Sequence, residues 1–255
     1  MRRDARNILN KLNNNFYAEI GQFWNQESDY FWDGWYVMKH LLDLRRLTPL
    51  KVLDIGCGNG RFATFASTHL NSSQPITYLG IDNSAEMLSF CPAISHPHSI
   101  HFSHIDVVES AHWNRSFDHQ FNLVVLMGLM HHIPSFQKRL NLITSAAQCL
   151  TSGGYLCFTT WRFDLIPRLQ KRVVNLDGGE GRLLLSELGL SRSDLEAGDA
   201  LLNWVKYERA YRYSHQYSEQ ELAHLIKATG CTLVARYLQD GKECMRNEYF
   251  VLRKP

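Results

Sequence analysis

No stretch of the 255-residue chain approaches the ~20 consecutive apolar residues that a membrane-spanning helix requires. The start, Met1-Arg2-Arg3-Asp4, runs into polar, asparagine-rich sequence instead of an apolar signal region, so no membrane association and a cytoplasmic location are expected. Charge of one sign is scarce as well. With 27 Lys and Arg against 25 Asp and Glu, the formal +2 is too small to announce a nucleic-acid partner, although it leaves room for a local basic face. The six cysteines (Cys57, Cys91, Cys149, Cys157, Cys231, Cys244) include no CxxC pair, and three lie in apolar segments, which predicts reduced core residues. Low-complexity tracts and solenoid-period repeats are absent. What is present, at 45% hydrophobic residues, is a globular chain long enough for one α/β domain with an insertion.

Ile8, Leu9, Leu12, Phe16, Ile20 and Phe23 recur at helical spacing, and after a turn near Ser28-Asp29 a second helix is predicted through Trp35, Met38, Leu41 and Leu42. Strands are predicted at Val52 to Ile55, Thr77 to Ile81, His101 to Ile105, Phe121 to Leu129 and Tyr155 to Thr160, with helical patterns between most of them. Ser135 can cap a helix through Phe136, Leu140, Ile143, Ala147 and Leu150, which ends before Gly153-Gly154. Ser218 and Glu221 read as a capping box, Gly230 as a stop, and Thr232 to Leu238 and Glu248 to Leu252 as two strands joined at Asp240-Gly241. Alternating strands and helices predict a doubly wound parallel sheet. Between Trp161 and Gln216 the alternation breaks, in a segment rich in Arg, Gly and aromatics.

Gly56-Cys57-Gly58-Asn59-Gly60, between the first strand and a helix beginning near Phe62, looks like a loop that supports an adenosyl cofactor. Glycines there permit positive φ and close backbone approach to a ligand. A dinucleotide signature needs glycine at the sixth position, where this chain has Arg61. Asp82, with Asn83 beside it, and Asp106 end the next two strands; one can grip a ribose diol and the other an adenine amino group, with Met87 and Val107 supplying apolar contact. Asp54 can position the loop or meet a ligand ammonium. A single such Asp is more often a turn or helix cap, but three at successive strand ends beside a glycine loop point to S-adenosylmethionine.

In these features the chain resembles class I S-adenosylmethionine-dependent methyltransferases, with Asp54 to Gly60, Asp82, Asp106 and Gly153-Gly154 at the family's positions. The resemblance implies an α/β Rossmann-like sheet of seven strands, mostly parallel with the last antiparallel, in one domain. Residues 1–48 would be a helical cap, 49–161 and 216–255 the catalytic core, and 162–215 a substrate-binding insertion over the cofactor. It also implicates Met127, Gly128 and His131-His132 at the methyl-donor pocket. Those histidines have no His or Cys nearby at metal-ligand spacing, and as an ordinary helix-start pair they would look the same.

Asn203-Trp204, the run Tyr211-Arg212-Tyr213-Ser214-His215-Gln216-Tyr217-Ser218 and Glu221-Leu222 are similar to the tail of the tRNA wobble-uridine methyltransferases, which esterify 5-carboxymethyluridine. Phe16-Tyr17, Tyr30-Phe31-Trp32 and Leu126 to His132 extend the similarity. Asn203 stands for the family's proline, Ser214 for its second tyrosine, and Glu27-Ser28-Asp29-Tyr30 lacks the family's arginine. The resemblance implies a tRNA acceptor and, by analogy with the eukaryotic relatives, a small activating protein subunit. A carboxylate with a pKa near ~4 is already ionised, so its methylation needs placement and a cation more than a base. Arg212 offers a bidentate fork and Arg162 a second cation. Trp161, Trp204, Tyr213, His215 and His132 are candidates to stack on or bond a base. Arg168, Lys171, Arg172 and Arg182 could follow phosphates or form a solvated helix face. Two other readings stand beside this one: a methyltransferase for a small acid or hydroxyl, and a non-catalytic partner subunit that keeps the fold.

Overall fold

The computed structural model describes the whole chain except residues 28–29, 71–73, 95–96, 111 and 205–209, so the turn expected at Ser28-Asp29 lies outside the described residues. Five strands run parallel: β1 (Lys51–Ile55), β2 (Thr77–Asp82), β3 (Ser99–His104), β4 (Phe121–Leu126) and β5 (Leu150–Trp161). Strands β6 (Asp199–Asn203) and β7 (Tyr211–His215) pair only with each other, as an antiparallel ribbon. The last two, β8 (Thr232–Gln239) and β9 (Asn247–Arg253), complete a seven-stranded sheet of order β3-β2-β1-β4-β5-β9-β8, in which β9 is antiparallel to both neighbours. Strand order reverses between β1 and β4, which opens a crevice beyond their carboxyl ends.

Apolar runs on the central strands follow from burial on both faces. Leu53, Ile55, Val124 and Leu126 point into one core with Leu142, Ile143 and Phe250, whereas Val52, Leu123 and Val125 point into the other with Trp35, Phe62 and Phe65. Eight α-helices are described: α1 (Arg3–Glu27), α2 (Asp33–Leu41), α3 (Arg61–Phe65), α4 (Ala85–Ser89), α5 (Phe136–Gln148), α6 (Pro167–Gln170), α7 (Gly179–Glu187) and α8 (Glu219–Ala228). Ala5, Leu9, Asn13, Phe16 and Ile20 make one buried face of α1. Its first part packs with Leu184, Leu185, Leu201 and Tyr213, so the segment 162–215 folds onto α1 through a core of its own. At Gly34 in α2 an added Cβ would lie 2.3 Å from the Tyr249 ring, and the Gly34 N–H donates to Asp240 Oδ1 at 2.9 Å, which fixes α2 on the β8–β9 hairpin.

Several local expectations are corrected. The fourth strand stops at Leu126, because Gly128 takes φ 80° and turns the chain toward Met130–His132. Gly153-Gly154 lies inside β5, at an irregularity in its pairing with β4. Ser135 makes no side-chain cap; it has φ 80°, and the Phe136 N–H is taken by the Glu196 carboxylate at 2.9 and 3.1 Å. Ser218 does accept from the Glu221 N–H, but the Glu221 carboxylate is drawn to Arg139 and His215 instead of closing a capping box.

Candidate active site

A cavity of about 660 Å³ opens at the strand-order reversal. Gly56 and Gly58 line it, both with positive φ. The Gly56 and Cys57 N–H groups donate to Ile81 O and the Gly58 N–H to Asp82 Oδ2 at 2.8 Å, so β2 holds the loop. Asp82 Oδ1 accepts from Ser84 N–H at 2.9 Å, and Asp106 Oδ1 accepts from Val108 and Glu109 N–H. These bonds orient both carboxylates at the cavity wall and leave lone pairs for hydroxyl or amino donors. Asn83, Met87, Val107 and Met127 line the same wall.

Asp54 is almost fully buried at the base of this wall. Its Oδ2 accepts from Tyr78 Oη, while Oδ1 has no partner, and burial pushes the carboxyl pKa up to about 7. An orphaned buried carboxylate oxygen is satisfied by a cationic donor, and an amino-acid ammonium is one. The glycine loop, the two strand-end acids and Asp54 therefore fit an adenosyl amino-acid cofactor.

Another part of the cavity lining, its basic end, is formed by Arg168, Arg172, Arg212 and Arg246 with Trp161 and Trp204. Arg212, on β7, is only 3% exposed. Its guanidinium lies 4.3 Å from the Trp161 ring centre, 5.1 Å from Phe16 and 5.3 Å from Trp204, and it bonds the Tyr17 hydroxyl. Nη1 has no partner, and no carboxylate pairs with Arg212 among the described residues. Burial pulls its pKa down, and nearby Arg172 and Arg246 pull in the same direction. A buried, aromatic-caged cation with an open donor, facing a cavity, is a site for an anion.

Around Arg212 runs a chain of hydrogen bonds. Tyr17 Oη lies 2.8 Å from His132 Nε2, and His132 Nδ1 lies 3.2 Å from the Tyr213 carbonyl, which can only accept. His132 is thus protonated at Nδ1, and its Nε2 accepts from Tyr17. Burial and then the charge of Arg212 push His132 down to about 3, and burial raises the Tyr17 phenol. At neutral pH neither group is a ready base.

Other expected site residues lie elsewhere. His215 does not line the cavity; it is buried between Asp199 (2.7 Å) and Glu221 (2.8 Å), and Tyr213 Oη donates to the same Asp199 at 2.6 Å. Both belong to a latch that continues through Glu221 to Arg139 and Glu196. Arg162 is occupied by Asp164 and Glu248 and points away from the cavity. His131 is fully buried with both ring nitrogens unpartnered, stacked on Trp161 at 4.4 Å, and burial pushes its pKa well down. Trp161 therefore already carries Arg212 and His131, and serves as a platform for the cation instead of for a base. Gly60 does not line the cavity either: an added Cβ there would lie 2.8 Å from Pro92, so it is needed for packing beneath the loop.

Three contributors stand outside the expected site residues. Asn13 accepts from Tyr213 N–H at 2.8 Å and donates to His132 O at 3.2 Å, which joins α1 to both walls. Its sequence signal is a polar residue on the apolar face of α1. Tyr17, one turn on, reaches Arg212 and His132. Arg61, beyond excluding a dinucleotide loop, lies against Tyr30, Trp32 and Trp35 within 5.6 Å and so draws the N-terminal aromatics over the cavity.

The sheet order and the loop with its strand-end acids define a class I S-adenosylmethionine-dependent methyltransferase fold and site. A methyltransferase-domain family model matches residues 32–236, and the chain belongs to that family. A comparison with curated protein sequences finds no match. Among solved structures, an S-adenosylmethionine-dependent methyltransferase from Methanosarcina mazei is similar at TM-score 0.57 and 18% identity, covering 80% of this chain and 92% of that one. Magnesium protoporphyrin IX methyltransferase from Synechocystis, with bound S-adenosylhomocysteine, reaches 0.56 at 11% identity over 99% and 100%. The 1,6-didemethyltoxoflavin N1-methyltransferase of Burkholderia thailandensis reaches 0.57 at 14% identity over 97% and 87%. Among the described residues no helix is long and apolar enough to cross a membrane, and no group of His, Cys, Asp and Glu is arranged to hold a metal ion.

Proposed function

We propose that the enzyme methylates a carboxylate, and that this acid is borne by 5-carboxymethyluridine at the wobble position of tRNA. The observation that carries the reading is Arg212: buried, caged by three aromatic rings, with no acid partner among the described residues and an open Nη1 toward the cavity. S-adenosylmethionine, when bound, supplies an electrophilic methyl on its sulfonium. Gly56, Gly58, Asp82, Asp106 and Asp54 would hold it, Asp82 at the ribose and Asp54 toward the ammonium. Arg212 would hold the acid in a bidentate grip and orient one oxygen along the line of attack. The groups beside Arg212 favour an acid over a hydroxyl acceptor: His132, His131 and Tyr17 are all poor bases at neutral pH, and an ionised carboxylate needs none. The segment 162–215 would be the acceptor-binding insertion, because β6, β7 and α6 bring Trp204, Arg212 and Arg168 to the cavity.

Incubation with methyl-labelled S-adenosylmethionine and tRNA carrying 5-carboxymethyluridine tests this directly. The expected product is a methyl ester, its label released as methanol by mild alkali, and Arg212→Gln lowers its formation on the order of 100-fold or more. The near-complete enclosure of Arg212 also suits a small-molecule acid. Alkali-labile methylation of metabolite acids, with none on this tRNA, selects that second reading.

A further inference from the structure

Four arginines line the acceptor end of the cavity, and among the described residues only Arg168 has an acid partner, Glu243 at 3.3 Å. An acid seated on Arg212 answers one of the remaining three charges. Among the described residues Arg172 and Arg246 have no ion pair of their own, and Arg246 shares only the field of Glu243, which is already paired with Arg168. Neither is placed by an unsupported loop. The Arg172 carbonyl accepts from Asn203 N–H at 2.8 Å, Val173 bridges Leu202, and the Val174 N–H donates to Leu201 O, so Arg172 runs alongside β6. Arg246 ends the β8–β9 connection, its N–H donating to Asp240 O and its carbonyl accepting from Arg162 N–H. Arg172 and Arg212 both lie against the Trp204 ring, at 5.4 and 5.3 Å. Burial first, then the charges of Arg168 and Arg246, pull the Arg172 pKa down, as expected for like charges gathered in one cleft. Such a cluster is relieved when anions enter it.

We propose that Arg172 and Arg246 form a second anion subsite, which takes a phosphate ester on the same nucleotide whose carboxylate is held by Arg212. Recognition then requires two negative charges, one for Arg212 and one for Arg172 with Arg246, and singly charged acids are poor acceptors. The inference rests on the acid reading of Arg212 for its second anion, but the phosphate subsite can be probed alone. Uridine 3′-monophosphate and uridine differ only in the phosphate, so their binding to the protein saturated with S-adenosylhomocysteine reports on a phosphate site, and substitution of Arg172 and Arg246 with Arg212 intact tells whether these two arginines or Arg212 hold it.

Calorimetry is expected to give at least tenfold tighter binding of the monophosphate than of uridine in the native protein. The advantage should shrink between 50 and 200 mM salt and fall to about onefold in Arg172→Gln/Arg246→Gln. Equal affinities in the native protein, or a phosphate advantage untouched by the double substitution in a variant whose melting is unchanged, would overturn the subsite. If the variant melts early, Arg172→Lys/Arg246→Lys replaces it: the charge stays, so the phosphate advantage must stay, and its loss counts against the proposal. A 5-carboxymethyluridine anticodon stem-loop then separates the sources. Binding beyond that of 5-carboxymethyluridine 3′-monophosphate assigns the phosphate to RNA, and equal binding assigns it to a free nucleotide.

Discussion

The two ends of the cavity are opposite in charge and in construction. At the acidic end each carboxylate sits within two residues of a strand end, and Asp82 and Asp106 are fixed by backbone N–H groups close in sequence or on the adjacent loop. At the basic end Arg212, on β7, is held by residues from three other segments: Phe16 and Tyr17 on α1, Trp161 on β5 and Trp204 after β6. The ribbon carrying Arg212 is in turn latched to α5 and α8 through Asp199, His215, Glu221 and Arg139. In the proposed reading, cofactor binding is a property of the sheet and acceptor binding a property of how 162–215 packs on it, and the two should fail separately.

The largest effect is expected where the latch is cut. Arg139 is 1% exposed and bonds Glu221, Glu196 and the Ile133 carbonyl, so Arg139→Ala takes the buried guanidinium from two carboxylates and a carbonyl at once and should destabilise the fold by about 3–5 kcal/mol in denaturant unfolding. Next comes Arg212→Gln, with a loss of methyl transfer on the order of 100-fold or more while S-adenosylhomocysteine affinity by calorimetry changes less than about threefold. Equal losses in both would mean that the two ends are coupled. Asp82→Ala should do the reverse and weaken S-adenosylhomocysteine binding on the order of 10- to 100-fold, since it removes charge-assisted hydrogen bonds and the tether of Gly58.

The smallest effect is a pH dependence. Burial pulls the His215 pKa down, but bonds to Asp199 and Glu221 outweigh it and hold it above the ordinary 6.5; burial likewise raises Glu221, which His215 and Arg139 bring net below 4.5. His215 therefore stabilises fully below about pH 6.5 and less as pH rises through its raised value, while Glu221 contributes above about 4.5 and is lost as pH falls through its lowered one. The stability gap between the native protein and His215→Gln should be widest between about pH 4.5 and 6.5 and close toward pH 9. A gap that widens with rising pH would remove the charged latch.

Legibility in the sequence follows the same division. Gly56, Gly58, Asp82 and Asp106 could be read from spacing because the glycine loop and the strand ends that line the cavity are marked locally in the chain; the alternation of elements gave a doubly wound parallel sheet, and its seven strands came from the family resemblance. Arg212 was visible only as part of a resemblance, since nothing in Tyr211 to Ser218 tells which side chain turns inward. Alternation along β7 settles it: Arg212 faces the cavity, whereas Tyr213 and His215 point to Asp199. Arg162 looked like a free cation, but Asp164 two residues on and Glu248 across β9 claim it. Asn13 and Tyr17 could not be placed without knowing that α1 crosses β7 and the His132 turn.

The separation of the two ends is tested most directly by comparing an acid with its neutral isostere. Affinities of 5-carboxymethyluridine and 5-carbamoylmethyluridine for the protein saturated with S-adenosylhomocysteine should differ at least tenfold in favour of the acid, with the preference lost in Arg212→Gln. Equal affinities in the native protein, or a preference that survives the substitution, would contradict the assignment of Arg212 as the acid-binding cation.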